Sequence, residues 1–411
     1  MPLPIHHTFG PHADRSTALA ALRLMFRPWN YRKGLEREML RSHLHRSFGG
    51  SCALFASGRD GLLALLRALH LPQGSEVILQ GFTCVALPNA IHAAGLTPVY
   101  ADIDPDTLNF SEASVLSVIT HRTKVILCQH TFGIICDTAK LRALCDKHRI
   151  VLIEDCAHVL PDVTGPKEIG KHADVMMLSF GRDKAISGVA GGAILVRDPT
   201  VASTVLQAEN SAQEMRCGTV CRLLLYPIVY RKARALSIIG LGTLYLWLLK
   251  TLRILVPVLT PAEKRGAPSL SLTKMPNACA ALALREIKKI HTVNNHRRIL
   301  AKRYSAAARE YGWHHPSAIH EDLPLQKFPI LVSDADAVRA ALKENNIHLD
   351  DGWTGAVVCP RSVDQQAAGY TAGSCPHAER IAKRILTLPT HPTMTERQAE
   401  TLIDTLQRQL R

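Results

Sequence analysis

A lysine in a polar turn and two neighbouring carboxylates are the side chains of this sequence best suited to chemistry. The segment SFGRDK leads from an apolar strand into a turn that ends in Lys184, and IEDCAH is a strand that ends in Glu154 and Asp155. A lysine amine can condense with an aldehyde and then move a proton, and a buried carboxylate can keep a proton on a cationic partner. Taken singly, each segment also has an ordinary explanation, since strand-end carboxylates often cap helices and lysines after strands are usually solvated.

A turn of small residues upstream offers a place for an anion. In FASGRDGL, Ser57 and Gly58 open a helix, whose first N–H groups and dipole could hold a phosphate. Many helices begin after Ser-Gly, so this signal is weak by itself. The order of the three segments along the chain is more informative than any one of them.

Short apolar strands and amphipathic helices alternate around these segments. The sequence predicts helices at 35–48, 61–69, 87–94 and 138–148, and strands at 77–80, 98–102, 124–128, 150–154, 175–180 and 192–196. This alternation is typical of an α/β fold with a mostly parallel sheet covered by helices on both faces. Ligands of such sheets bind beyond the carboxyl ends of the strands, where the polar residues of this region fall.

The alternation defines four regions of the chain. Residues 1–50 form an N-terminal helical segment, and 51–210 form the large domain. Residues 211–266 are an apolar and basic insertion, and 267–411 form a smaller α+β C-terminal domain. Within that last region the sequence predicts one long helix at 275–311 with basic residues on its outer face, a strand at 328–332 and helices at 334–345 and 397–410.

Charge and cysteine content limit the classes of partner. A net charge of +14 favours anionic partners, but no RNA- or DNA-binding signature is present, so nucleic acid is not expected. The eleven cysteines are odd in number, which suits reduced thiols. Cys217 and Cys221 lack a second Cys/His pair, so no metal is expected. The first residues lack the pattern of a secretory signal, and we expect a cytoplasmic protein.

Several blocks resemble the DegT/DnrJ/StrS family of sugar aminotransferases, which depend on pyridoxal 5′-phosphate (PLP). The resemblance runs from about Ser51 to Pro199 and resumes at Met275. It rests on SGRD at 57–60, EVILQGFTCVALPNAIHAAGLTPVYADIDPDTLN, IEDCAH, ADVMMLSFGRDKAISGVAGGAILV with its closing Gly-Gly, and SCPHAERIAKRILTLPTHPTMT. It implies the type I fold of PLP-dependent transferases, with a seven-stranded type of sheet.

The resemblance also implies roles for individual residues. Lys184 would carry PLP as a Schiff base, and Asp155 would face the pyridine nitrogen, with Glu154 a neighbour of lower rank. His158 stands where the family often has Gln or His against the phenolic oxygen, although a histidine bonded only to backbone remains an alternative. The other implied cofactor-binding residues are Gly58, Arg59 and Ser179 at the phosphate and Cys84 at the ring.

Three departures from the family pattern bear on the substrate. Cys84 stands where an aromatic residue usually stacks on the ring, which leaves Phe82 and Phe132 as candidates for stacking. The Asn that a partner subunit usually donates to the phosphate has no counterpart in SLSLTKM. Arg182 and Asp183 replace the usual Pro-Thr, and they could form an ion pair or reach the substrate's phosphates.

The function implied is amino transfer from L-glutamate to a keto-sugar, with a nucleotide-linked sugar as the expected substrate, in a homodimer. One alternative is a lipid-linked or membrane-held carbonyl substrate, and another is a non-catalytic regulator on the same fold. Lys184 argues against the family's dehydratases, in which a histidine replaces the lysine.

Residues 222–260 predict an interfacial hairpin on the inner face of the cytoplasmic membrane. The uncharged core at 235–249 is shorter than the roughly 20 residues that a spanning helix needs. The basic residues of the stretch have no acidic partners within it, which suits anionic headgroups. The alternative is a buried helical pair that extends a dimer interface.

Overall fold

The computed structural model describes residues 4–7, 12–162, 165, 168–267 and 269–410. The strands are β1 (Ile5–His6), β2 (Ser51–Phe55), β3 (Glu76–Gln80), β4 (Thr83–Cys84), β5 (Thr97–Ala101), β6 (Thr123–Gln129), β7 (Val151–Asp155), β8 (Val175–Ser179), β9 (Gly192–Val196), β10 (Lys327–Leu331), β11 (Ile347–His348), β12 (Val358–Cys359) and β13 (Ile385–Pro389). The α-helices are α1 (Arg15–Met25), α2 (Glu36–Phe48), α3 (Gly58–Ala68), α4 (Ala86–Ala93), α5 (Glu112–Leu116), α6 (Thr138–His148), α7 (Pro199–Ser211), α8 (Cys217–Leu236), α9 (Gly242–Thr251), α10 (Pro261–Lys264), α11 (Asn277–Ile287), α12 (Ile290–Tyr311), α13 (Ala335–Glu344), α14 (Pro376–Arg384) and α15 (Glu396–Leu410). Single 3-10 turns lie at Pro28–Asn30, Thr131–Gly133 and Ser237–Ile239.

Seven strands form the central sheet in the order β2-β9-β8-β7-β6-β3-β5. β9 runs antiparallel to both of its neighbours, and the other neighbouring pairs are parallel. The α/β fold with a mostly parallel seven-stranded sheet is therefore confirmed. Strand β7 extends one residue further than predicted, so Asp155 is its last residue.

Helices cover both faces of this sheet because successive side chains of each strand point to opposite sides. In β6, Val125 and Leu127 join one apolar core, and Ile126 and Cys128 join another on the opposite face. Burial on both sides explains why these strands read as continuous apolar runs.

Beyond the sheet, the C-terminal part contains the antiparallel pair β10–β13. The N-terminal β1 adds in parallel to β11, where Ile5 pairs with Ile347. The short β12 pairs in parallel with β4, which immediately precedes α4. These two pairings connect the C-terminal part to the first residues of the chain and to the turn after β3.

The prediction of one long helix at 275–311 is wrong, because α11 and α12 are separate helices. Their apolar faces are buried in different cores: Ala278 and Ile287 pack with α2 and α8, whereas Leu300 and Tyr304 pack with the C-terminal strands. The prediction of an outer basic face also fails at Arg297, which is buried. Neither Gly nor Pro marks the break at 288–289.

The insertion folds as α8, a 3-10 turn and α9, followed by an irregular segment to residue 260 and by the short α10. In the described part of the chain, no helix is both long and apolar enough to cross a bilayer.

Candidate active site

The start of α3, the end of β8 and the start of β9 meet at one point. The Ser57 side chain caps α3 by accepting the Asp60 N–H at 3.1 Å. A β-carbon built on Gly58 would lie 3.8 Å from Oγ of Ser179, and one on Gly192 would lie 2.4 Å from the Gly58 nitrogen. The second residue of the Gly-Gly pair is therefore required for the close approach of β9 to the helix. The first N–H groups of α3, which have no partner within the helix, and the Ser179 hydroxyl lie together at this point.

Lys184 lies in the turn after β8, close to the same point. A β-carbon built on Gly181 would lie 3.3 Å from Cγ of Lys184 and 3.8 Å from Oγ of Ser179. His12 Nε2 donates to the Lys184 carbonyl at 2.8 Å, and Arg297 donates to the carbonyl of the next residue at 2.8 Å. Groups from distant parts of the chain thus hold the backbone of the lysine turn.

Asp155, the last residue of β7, places a buried carboxyl group where the charge of Lys184 acts on it. Its Oδ1 accepts the Ala157 N–H at 2.9 Å. Burial raises the pKa of Asp155, and this hydrogen bond and the charge of Lys184 oppose the rise. A further cation against this carboxyl group would stabilise its ionised form.

Glu154 points to the opposite side, as the alternation along β7 requires. His130 Nε2 lies 2.7 Å from its Oε1, and both carboxyl oxygens accept the Gly170 N–H at 2.9 Å. The Cys136 N–H donates to Nδ1 of His130, so the proton of the imidazole lies on Nε2 and faces the carboxylate. With Cys156, these two residues form a cluster with ligand atoms within 4.8 Å. The hydrogen bonds give His130 and Glu154 a structural role.

His158 lies near both Lys184 and an aromatic cluster. The Phe132 N–H donates to its Nδ1 at 3.2 Å. Burial lowers the pKa of His158 well below its ordinary value, and the charges of Lys184 and Lys327 add to this effect. The imidazole is therefore neutral with its proton on Nε2, which is available to donate to an oxygen. The hydrogen bond to backbone uses Nδ1, and a hydrogen bond to a ligand would use Nε2, so His158 can make both.

The predicted ring position, Cys84, is half-buried in the strand pair β4–β12. Of the candidates for stacking, Phe132 lies parallel to His158 with centroids 5.8 Å apart. Phe82 instead meets Phe132 edge-on at 6.1 Å. Trp353 was not among the predicted residues, yet its ring centroid lies 5.0 Å from that of Phe132 and 5.1 Å from that of His158.

The Arg59 side chain is directed at the insertion. It forms an ion pair with Glu263 and donates to the carbonyl of Val258 at 3.1 Å. The backbone N–H of Arg59 remains at the helix start, where an anion could accept it. Any contribution of this residue to a phosphate site would therefore come from its backbone.

Arg182 also contacts the insertion. Its guanidinium donates to the carbonyl of Val256 at 2.6 Å and lies 4.7 Å from the centroid of the Tyr226 ring. Among the described residues, no ion pair joins Arg182 to Asp183, so that predicted alternative is wrong. The guanidinium is turned toward the protein because α8 and the segment after α9 provide both an aromatic face and a free carbonyl.

A polar cavity adjoins Lys184, and most of its lining was not predicted. The lining residues are His7, His12, Asp183, Lys184, Arg297, Gln326, Lys327 and His391. Nε2 of His7, Nε of Arg297 and Oε1 of Gln326 are buried without a hydrogen-bond partner in the described structure. Such groups favour a polar ligand in the cavity.

Lys327 forms a buried ion pair with Asp351 at 2.9 Å. Burial alone would raise the pKa of Asp351, but Lys327 and His7 and a hydrogen bond from Thr387 hold it well below its usual value. The Lys327 ammonium lies 5.8 Å from the Phe132 ring centroid. Lys327 therefore contacts both the aromatic cluster of Phe132 and Trp353 and the cavity.

Comparisons of this chain with known proteins all lead to one family of aminotransferases. A sequence profile of the DegT/DnrJ/EryC1/StrS aminotransferase family matches residues 21–220 and 269–407, and leaves out most of the insertion. A UDP-N-acetyl-3-dehydro-alpha-D-glucosamine 3-aminotransferase of Acidithiobacillus ferrooxidans is 27% identical over 86% of this chain and 83% of its own length. The GDP-perosamine synthase of Vibrio cholerae is 35% identical, but over only 38% of this chain and 42% of that protein.

A solved structure confirms the fold. The putative sugar aminotransferase Spr1654 of Streptococcus pneumoniae, in its pyridoxamine phosphate (PMP) form, superposes with a TM-score of 0.74 at 19% identity, over 99% of this chain and 98% of that one. The same protein is also solved in its PLP form.

Proposed function

Because the chain belongs to the DegT/DnrJ/EryC1/StrS aminotransferase family, which is PLP-dependent, we propose that it moves the amino group of L-glutamate to a keto-sugar with PLP bound at Lys184. The observation that carries this proposal is that Lys184 lies close to Ser179 and the start of α3, and that its charge acts on the buried carboxyl group of Asp155. The direct test mixes the protein with glutamate. The yellow colour of the bound cofactor should bleach, and one equivalent of 2-oxoglutarate should form.

The residues at the site fit PLP. The first N–H groups of α3 and the Ser179 hydroxyl suit its phosphate, and the contact between Gly192 and Gly58 keeps side chains out of that corner. The buried Asp155, whose pKa burial raises, suits a cationic pyridinium. When bound, PLP supplies an aldehyde and an electron sink.

The protein's own groups would then handle the protons. In the first half of the reaction, Lys184 Nζ would accept the proton that leaves the α-carbon of the donor, and in the second half it would donate a proton to the sugar carbon that receives nitrogen. Asp155 would keep a proton on the ring nitrogen, and Nε2–H of His158 would be the donor available to the phenolic oxygen. His158 is suited to this task because its lowered pKa fixes it as a neutral donor.

The cavity beside Lys184 supports an acidic amino donor. Its lining includes the buried cations Arg297 and Lys327. Nε of Arg297 lacks a partner in the described structure, and a carboxylate would satisfy it. L-glutamate carries two carboxylates, and its reaction releases 2-oxoglutarate. Donor preference is measured by the rate of bleaching with glutamate, glutamine and alanine at equal concentrations.

The acceptor we propose is a nucleotide-linked keto-sugar. Support comes from the names of two relatives, which refer to UDP- and GDP-linked sugars, and from the net charge of +14. The test is mass spectrometry of products after incubation with glutamate and a panel of nucleotide-linked 3-keto and 4-keto sugars. A mass change of one amino-for-keto exchange identifies the acceptor.

We also propose a cytoplasmic homodimer. Phe26, Trp29, Leu35 and Met39 expose at least half of their surface, which a second copy could cover. The segment that lacks the family's Asn is occupied within its own chain, where the Thr273 carbonyl accepts the Ala56 N–H at 2.8 Å. A fully active monomer at micromolar concentration by light scattering would refute the dimer.

A second candidate acceptor is a lipid-linked or membrane-held carbonyl compound. The favouring observation is that the insertion contacts Arg59 and Arg182, next to the proposed phosphate and lysine positions. Turnover of a lipid-linked keto-sugar in detergent, with no turnover of the nucleotide-linked panel, would select this candidate.

A further inference from the structure

We propose that α9 and the turn before it form a docking surface for an anionic bilayer, whereas α8 is the buried element that fixes this surface to the enzyme. The docking surface consists of residues 237–253. This assignment goes beyond the reaction and does not depend on which sugar is used. It also limits the predicted hairpin at 222–260 to its second half.

The docking surface presents a row of large apolar side chains to solvent. Leu241, Leu244, Leu248 and Leu252 are spaced three or four residues apart and so lie on one side of the helix. Together with Ile238, Ile239 and Trp247, they are between 46 and 66% exposed. On α9 itself, only Gly242 and Leu246 are buried. A helix of a monomer that is covered by solvent would carry polar residues on this side.

By contrast, α8 is tied into the protein. Val220, Leu223, Leu224 and Tyr226 join the core that also contains α2 and α11. Arg222 donates to the carbonyl of Ile254 at 3.0 Å, so the segment after α9 is fastened to α8. A small separate cluster around Val229, Ala233, Leu246 and Leu255 joins the two helices. The docking surface is therefore held at a fixed place although its outer side is bare.

The charges around this surface have one sign. Residues 215–262 contain seven Arg or Lys and no Asp or Glu. Arg231 and Lys232 at the end of α8, and Lys250 and Arg253 at the end of α9, are exposed. Cations beside an exposed apolar row with a tryptophan are typical of helices that lie at the headgroup level of anionic bilayers.

A second copy of the chain fits this surface less well. A twofold interface would bring the same patch of each copy together and would place these cations opposite one another. Anionic headgroups have the opposite charge. The ten residues of α9 are too few to span a bilayer, so the surface would lie on it rather than cross it.

The test uses flotation of the purified holoenzyme with vesicles of phosphatidylcholine alone or with added phosphatidylglycerol. We expect flotation with the anionic vesicles and its loss as salt is raised. The double variant Leu244→Ser/Trp247→Ser should bind the same vesicles about tenfold or more weakly, because both side chains lose their burial in the acyl boundary. Both are exposed, so melting temperature and cofactor absorbance should stay at the wild-type values.

Leu116→Ser is the matched control, since Leu116 is exposed like the apolar row of α9 but lies outside both the insertion and the proposed dimer surface. It should float like the wild type. Failure of the wild type to bind anionic vesicles overturns the proposal. Unchanged flotation of the double variant also overturns it. So does a double variant with a smaller particle mass than the wild type when neither protein binds vesicles, because that result would assign the surface to a second copy. Activity on the soluble sugar panel is measured in parallel, so failure of the proposed function is seen separately.

Discussion

Replacing Asp155 by Asn tests the central assignment with little disturbance of the fold. The two side chains have nearly the same size, and the amide oxygen can still accept the Ala157 N–H that Oδ1 accepts at 2.9 Å. The substitution therefore removes a negative charge from a buried position, and its effect on the melting temperature should be small. The effect on catalysis should be large, because a protonated ring nitrogen would lose its counterion.

The size of the effect follows from the burial of the site. Asp155 is only 4% exposed, so water cannot replace the missing charge. Leaving one member of a buried ion pair without its partner costs about 3–5 kcal/mol. At about 1.4 kcal/mol per factor of ten, Asp155→Asn should slow amino transfer by roughly two to four orders of magnitude.

The assay is a single turnover with glutamate, followed by the absorbance change that accompanies conversion of bound PLP to PMP. Glu154→Gln is the matched control, because its side chain faces His130 on the other side of β7. The control should lower the melting temperature and leave the rate of the folded protein within a few-fold of wild type. A near-wild-type rate for Asp155→Asn would show that another group holds the ring proton, and the role assigned to Asp155 would be wrong.

Three further predictions use the same structure. Borohydride reduction followed by peptide mapping should place a pyridoxyl label on Lys184, and a label on any other lysine contradicts the site. Gly192→Ala should destabilise the fold by about 1–3 kcal/mol and weaken cofactor binding in a titration, because the added β-carbon would lie 2.4 Å from the first backbone nitrogen of α3. Gly218→Ala is the control, since no atom lies within 4 Å of its β-carbon, and it should neither destabilise the fold nor weaken cofactor binding. Burial lowers the pKa of His7 and of His12 to about 4, so the unfolded chain binds protons below pH 6.5 that the folded protein does not. The urea concentration at the unfolding midpoint should therefore decrease as the pH is lowered from 6.5 to 4. A His7→Asn/His12→Asn variant should show a smaller decrease over the same pH range.

The sequence was informative where the chemistry follows from strand order. Parallel strands bring their carboxyl ends to one edge, so Asp155 at the end of β7 and Ser179 at the end of β8 were expected to meet. The place of Gly58 in the site could also be predicted from the sequence, because Gly58 opens a helix next to that edge. These residues are placed by local elements whose periodicity is visible in the sequence.

The rest of the site could not be found in this way. His7 reaches it through the pairing of β1 with β11, across most of the chain, and Lys327 through the pairing of β10 with β13. Neither pairing leaves a periodic signal in the sequence. Trp353 lies outside any regular element. Arg297 belongs to a polar helix, and its burial depends on one carbonyl after the lysine turn and on Asn294. Long-range hydrogen bonds of this kind appear only once the fold is known.

The pairing of β1 with β11 also bears on how the enzyme is made. Ile347, the partner of Ile5, is synthesised roughly twenty to seventy seconds after it at 5–20 residues per second. Lys184 and the start of α3 are made within that interval, Lys327 is made near its end, and His391, which lines the cavity with His7 and His12, is made after it. The complete cavity can therefore form only after His391 has been synthesised, so a nascent chain that already carries Lys184 still lacks part of the lining proposed to contact the donor.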